Sequence, residues 1–167
     1  MNHVIRRART SDVRAISALV AQNVDSGRLL AKATVTLYED VQEFWVAERA
    51  GDVLVVGCGA LHVMWEDLAE IRTIAVRPDC QGQGAGHQLV DALLGSAREL
   101  GVRRVFVLTF AVTFFARHGF TEINGSPVSP AVYEELLRSY DEGVAEFLDL
   151  DRVKPNTLGN TRMLLHL

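Results

Sequence analysis

The sequence predicts an α/β fold, and three observations carry that expectation. Runs rich in β-branched residues, at 71–76 and 103–109, have strand composition. Val13, Ile16, Leu19 and Val20, and later His87, Leu89, Val90, Leu93 and Leu94, recur three and four residues apart, which marks one face of a helix. Between residues 70 and 94 a strand, a proline turn, a glycine cluster and a helix follow one another directly. With 167 residues, 49% of them hydrophobic, the chain can bury one core, and a single domain over residues 1–167 is expected.

Taken in order, residues 4–8 make a first strand, and Thr10, Ser11 and Asp12 offer caps for the helix that follows. Gly27 breaks the stretch 23–32 before a short segment with Leu29 and Leu30. Residues 36–41 form a second helix or turn. Strands at 44–49 and 54–62 are joined through Ala50, Gly51 and Asp52. Pro78 ends the central strand near Arg77, because proline has no N–H with which to continue a ladder. The helix after the glycines runs to about Leu100 and Gly101, where a glycine suits a helix end. Residues 103–109 form a buried strand and 113–118 a short helix, after which Gly119 and Phe120 open another strand. Ser129 and Pro130 start a helix through about Tyr140, the acidic stretch 133–151 reads as a solvated amphipathic helix and its exit, and 161–167 close the chain as a strand.

The formal charge of −4, without a run of Lys or Arg, argues against nucleic acid or an anionic membrane as partner and for small molecules. No apolar stretch approaches membrane-spanning length and the N-terminus has no apolar leader, so a soluble cytoplasmic protein is expected, with a homodimer left open. Cys58 and Cys80 lack metal-ligand spacing and read as reduced thiols. His3, His62, His87, His118 and His166 suggest neither a metal site nor a triad, and no metal is expected. Trp45 and Trp65 read as packing groups.

Gln81, Gly82, Gln83, Gly84, Ala85 and Gly86 lead into His87 where a helix begins. Such a start leaves N–H groups unpaired and carries the positive end of the helix dipole, and glycines let a bulky anion come close. A P-loop would need Lys and then Ser or Thr after the last glycine, where His87 and Gln88 stand. A Rossmann turn would put its glycines directly after the strand, but Arg77 to Gln81 intervene. A glycine loop shaped only for chain reversal is the bland alternative.

Gln81, Gly84 and Gly86 match the Q/R-x-x-G-x-G/A signature of the GNAT acyl-CoA-dependent N-acetyltransferases, which the chain resembles. The opening R-x-A-x-x-x-D, from Arg6 to Asp12, and FFARHGF at 114–120 are similar to segments of that family. LVAQNVDSGRLLAK, VQEFWVAE, EIRTIAVRPDCQGQGAG and RRVFVLT further resemble the acetyltransferase domain of bacterial N-acetylglutamate synthases, which catalyse the first step of arginine biosynthesis. Here that domain would stand without an amino-acid-kinase domain.

The resemblance implies a mixed, mostly antiparallel sheet flanked by helices, with central strands splayed between Ile74 and Leu108. It implies acetyl-CoA as co-substrate, with its pyrophosphate at Gln81, Gly82, Gln83, Gly84, Ala85, Gly86 and His87, its pantetheine arm along Ile74, Ala75 and Val76, and Phe115 against it. Glu70 would accept the proton of the acceptor amine, and the Ile74 N–H, exposed by an irregularity in the strand, would steady the oxyanion. Leu30, Lys32, Arg72, Leu108 and Thr109 would meet the acceptor amino acid.

Two cations usual in the synthases are missing: Ala31 precedes Lys32, and Phe110 and Ala111 follow Thr109. With fewer positive charges, L-glutamine becomes a credible acceptor beside L-glutamate, and Arg72 can take over part of the carboxylate binding. Phe115 stands where many GNAT enzymes place a tyrosine acid, leaving Thr109 or Thr113 as weak donors. The alternatives are acetylation of a polyamine, an antibiotic or a protein N-terminus, and a non-catalytic acetyl-CoA sensor.

Overall fold

The computed structural model describes residues 2–25, 29 and 31–167. Among these, the strands are β1 (His3–Arg7), β2 (Phe44–Arg49), β3 (Leu54–Trp65), β4 (Leu68–Val76), β5 (Arg104–Thr109), β6 (Thr121–Glu122) and β7 (Thr161–His166). The helices are α1 (Val13–Asp25), α2 (Thr34–Glu39), α3 (Ala85–Glu99), α4 (Val112–Ala116), α5 (Pro130–Leu136), α6 (Glu142–Phe147) and α7 (Lys154–Thr157). The strands lie in one sheet in the order β1-β2-β3-β4-β5-β7-β6. It is mixed: β4 and β5 are parallel, whereas β1 with β2, β2 with β3, β5 with β7 and β6 with β7 are antiparallel. The chain divides into two compact units, Met1–His62 with Ile71–Leu100, and Val63–Glu70 with Gly101–Leu167.

In the first unit the strands serve two packed faces, and β3 changes face at an irregularity in its pairing with β2, where Ala47 faces Gly57 and Glu48 faces Val55, so that Val56 lies opposite Cys58 and Ala60. Phe44, Val46, Cys58 and Ala60 pack with Val13, Ile16, Leu19 and Val20 of α1 and Leu37 of α2. Ala47 and Val56 pack instead with Ala85 and Leu89 of α3 and with Cys80. A side chain at position 59 would collide with Ile74 Cδ1 and come within 3.0 Å of Leu93 Cδ1, so Gly59 is what lets these groups lie so close. Asp12 closes the entry to α1: its Oδ2 accepts the Arg9 N–H at 2.7 Å.

The second unit is built around Phe106 and Phe147, whose rings meet edge to face at 5.1 Å, with Met64, Leu68, Leu136, Val144, Leu148 and Leu164 beside them. β5 and β7 pair over six residues, from Arg104↔His166 to Thr109↔Thr161. Arg162 lies over the Phe106 ring at 5.0 Å and donates to the carbonyls of Glu146 (2.8 Å), Gly125 (2.9 Å) and Phe147. It thereby adds donors to carbonyls in the last turn of α6, where the Glu146 carbonyl also accepts the Asp149 N–H and the Phe147 carbonyl the Ser126 hydroxyl.

The stretch 133–151 is not a solvated helix, and the helix that begins after Ser129 ends at Leu136 rather than near Tyr140. The physical reason lies at Ser139 and Asp141. Ser139 Oγ accepts the Asp141 N–H at 3.1 Å, and the Asp141 carboxylate accepts the Val144 N–H at 2.9 Å, which starts a new helix. That helix buries Gly143, Val144, Ala145 and Phe147. The strand expected from Gly119 and Phe120 is two residues long and starts at Thr121, while Phe120 is core.

Candidate active site

Pro78, Asp79 and Cys80 form one 3₁₀ turn after β4, and the chain then passes through Gly82 (φ 75°) and Gly84 (φ 90°) into α3. Gly84 is the residue before the helix, and its left-handed backbone is one that a side chain strongly disfavours. No side chain caps this end, and there is open space where a Cβ would stand on Gly82 and Gly84. The Gln81 amide donates to the Val76 carbonyl at 3.3 Å and the Gln83 amide to the Asp79 carbonyl at 3.4 Å, so both glutamines brace the turn. Ala85 is buried, and Gly86 and His87 are half-buried on the first turn of α3. The geometry suits an anion with several oxygens, because the first amides of an α-helix have no carbonyl within their own helix to bond and the glycines keep the approach open.

β4 is irregular next to Ile74. Thr73 has φ 59°, an outlier for a β-branched residue inside a strand, and its carbonyl accepts the buried Cys58 thiol at 3.6 Å. Such a kink turns backbone groups away from the regular ladder, and Ile74, Ala75 and Val76 follow it. Burial pushes the Cys58 thiol up to about 12, which removes it from nucleophilic chemistry at neutral pH. Cys80 is also a free, buried thiol.

Glu70 belongs to the second unit, opposite Phe106 in the parallel β4–β5 ladder, and is only 4% exposed. A strand-end glutamate is ordinarily solvated, so this burial is itself informative. Leu108 is half-buried against the Phe106 cluster, and Thr109 Oγ1 accepts the Ala111 N–H at 2.9 Å. Phe115 is 5% exposed within an aromatic stack, 5.0 Å from Phe114 and 5.4 Å from Phe120. Thr113 is exposed.

Leu30 lies outside the described residues, but Lys32 and Arg72 share one neighbourhood in the first unit. The Asp40 carboxyl, at the end of α2, is raised above its ordinary value by burial and then by Glu43, while Lys32, His62 and Arg72 pull it the other way. His62 on β3 pairs through Nδ1 with Glu43 Oε1 at 2.7 Å. Sequence reasoning passed over Asp40 and Glu43 and took His62 only as one of five scattered histidines, since nothing local joins Glu43 to His62, 19 positions apart. Among the described residues, no group of three or more His, Cys, Asp or Glu side chains is arranged to hold a metal ion, and no helix is long and apolar enough to cross a membrane.

The sequence profile of the acetyltransferase (GNAT) family matches residues 25–120, so the chain belongs to that family, as the glycine turn and helix already indicated. Its relatives narrow the class. It is 64% identical, over 97% of its own length and 93% of the other's, to a protein of Mycobacterium tuberculosis called amino-acid acetyltransferase. It matches the crystal structure of Rv2747 from Mycobacterium tuberculosis in complex with CoA and NLQ, with a TM-score of 0.93 and 63% identity, over 98% of this chain and 99% of that one. The N-acetylglutamate synthase of Neisseria gonorrhoeae, solved with coenzyme A and N-acetyl-glutamate, shares the fold at a TM-score of 0.78 and 24% identity. All of this chain is covered in that match, but only 35% of the longer synthase.

Proposed function

We propose that residues 1–167 act as one N-acetyltransferase domain that moves acetyl from acetyl-CoA to the α-amine of L-glutamate or L-glutamine, the first step of arginine biosynthesis, in the cytoplasm. The carrying observation is the uncapped, glycine-led start of α3 directly after an irregular β4, in a chain so similar to a named amino-acid acetyltransferase. The likeness to a protein solved with CoA supports the donor, and the grouping of Lys32 and Arg72 supports an acceptor with a carboxylate.

In this reading the amides of Ala85, Gly86 and His87 hold the diphosphate of the donor, with Gln81 to Gly84 shaping the approach. Glu70 takes a proton from the acceptor ammonium, freeing the nitrogen lone pair for the thioester carbon. The N–C bond forms, the carbonyl oxygen takes up negative charge opposite the Ile74 N–H, and the C–S bond then breaks to release the thiolate. The nitrogen loses its second proton, and the thiolate regains one from solvent or through Thr109. Ile74, Ala75 and Val76 lie along the donor, and Leu108, Thr109 and Phe115 shape the acyl end.

Thiol release from acetyl-CoA, measured with individual amines, tests the assignment. Turnover with L-glutamate or L-glutamine, and none with spermidine or a peptide N-terminus, is the expected result. Tight acetyl-CoA binding without turnover on any amine would instead make the chain a sensor. Gly84→Ala should raise the KM for acetyl-CoA about tenfold, roughly the worth of one good hydrogen bond, and lower stability by about 1 kcal/mol, because alanine resists φ 90°. Unchanged KM and melting temperature would remove Gly84 from the donor seat.

A further inference from the structure

β4 holds a conformation that its own sequence resists. Thr73, 6% exposed inside the strand, has φ 59°, a region that a β-branched residue enters only where its surroundings hold it. The groups pressed against it come from β3, the neighbour of β4 in the sheet. The Cys58 thiol, itself fully buried, donates to the Thr73 carbonyl at 3.6 Å. Burial keeps that thiol protonated at neutral pH, and the backbone of Ala75, on the other side of Ile74 in the chain, hydrogen-bonds the same sulfur. Gly59 makes the close approach possible: a Cβ there would overlap Ile74 Cδ1 and stand 3.0 Å from Leu93 Cδ1 of α3. Gly57 does the same beside Ala75, whose carbonyl oxygen would lie 3.2 Å from a Cβ.

We propose that Cys58 and Gly59 are positioning residues for acetyl transfer, which aim the Ile74 N–H at the oxyanion by holding the kink of β4. This rests on the acetyl transfer assigned above. The Thr73 carbonyl and the Ile74 N–H belong to one peptide unit, which is planar and trans, so the two point in opposite directions. A donor that fixes the carbonyl toward β3 therefore fixes the N–H away from it. That plane is seated only if the Ile74 side chain fits between β3 and Leu93, and the missing Cβ of Gly59 is the room it occupies. The N–H bears on the reaction only while negative charge sits on the carbonyl oxygen, so its aim is felt in the transition state and little in the binding of acetyl-CoA.

The test is kcat for thiol release with saturating L-glutamate or L-glutamine, and the Kd for acetyl-CoA by calorimetry, in the wild type and in variants that melt cooperatively. Cys58→Ala should lower kcat about tenfold and change the Kd by less than about twofold, because a misaimed donor is missed only when the oxyanion forms. Cys58→Ser, whose hydroxyl also donates, should keep about half of the wild-type kcat. Gly59→Ala should lower kcat about tenfold as well, and adding Ile74→Val, which removes Cδ1 and keeps the backbone N–H, should restore much of it. The two positions are read independently, so either decides the matter where a variant at the other does not fold. Variants as fast as an active wild type, equal losses in Cys58→Ala and Cys58→Ser, or a loss confined to the Kd overturn the positioning role alone. No thiol release by the wild type with any amine overturns the reaction and, with it, this role.

Discussion

Glu70→Gln should lower kcat at pH 7 by about a hundred- to a thousandfold while leaving acetyl-CoA affinity close to that of the wild type, within the range that one positioned base contributes. An amino-acid nitrogen is protonated at neutral pH and cannot attack a thioester until a proton is removed. Glu70 sits on β4, four residues before Ile74, and the fold keeps it 4% exposed. Burying a carboxylate costs free energy that an apolar residue there would avoid, so its presence calls for a reason beyond packing. Arg162 in the same unit is pulled down by burial, with the charges of Asp149 and Glu70 acting against that shift, so Glu70 also contributes to local charge balance. Glutamine has the same shape and can still hydrogen-bond, but it cannot take a proton. The deficit should narrow as pH rises, because free amine and hydroxide become available. A cooperative melt for the variant, together with turnover at pH 7 equal to the wild type, would exclude Glu70 from the chemistry and return it to a structural role.

The parts of the fold legible in the sequence are those whose signals are local. Pro78, Gly84 and the spacing of Leu89, Val90, Leu93 and Leu94 each constrain their own few residues, so the strand, turn and helix between residues 70 and 94 emerge from composition and period alone. The break between α5 and α6 is masked in the sequence by the charges of residues 133–151, which suggest a solvated face. The signal that competes with them is the capping residue Asp141, three residues before Val144, whose N–H it accepts. Thr73 carries no local sign of φ 59°; threonine belongs in a regular strand, and only the family resemblance suggested an irregularity nearby. The pairing of His62 with Glu43 depends on β3 meeting the turn before β2, a tertiary fact that neither residue announces. The candidate site was therefore readable where it is backbone, and largely hidden where it is made by side chains from separate elements.

The family-like opening from Arg6 to Asp12 has a physical explanation that yields the largest stability prediction. The Arg6 guanidinium donates Nη1 and Nη2 to Asp12 at 2.7 and 3.0 Å, and Nε and Nη2 to Glu48 at 3.0 and 2.7 Å. One planar group thus ties β1 to β2 and to the entry of α1, which lysine, a single point charge, cannot reproduce. Arg6 hydrogen bonds are the first cause holding the Asp12 carboxyl below its ordinary value, against burial, and Asp12 in return raises the guanidinium further above its own. Arg6→Met leaves both carboxylates, with side chains 8% and 16% exposed, without their counter-charge, and should cost about 3 kcal/mol at pH 7. Because the Asp12 value is lower folded than unfolded, its contribution is present above the unfolded carboxylate range near pH 4 and is lost as pH falls through the folded value. The stability gap between wild type and Arg6→Met in urea titrations should therefore be full at pH 7 and shrink below about pH 4, where protonation removes the charges that the arginine compensates. Arg6→Lys should fall between the two. A midpoint for Arg6→Met equal to the wild type at pH 7, or a gap that widens on acidification, would mean that the network only decorates this end of the sheet.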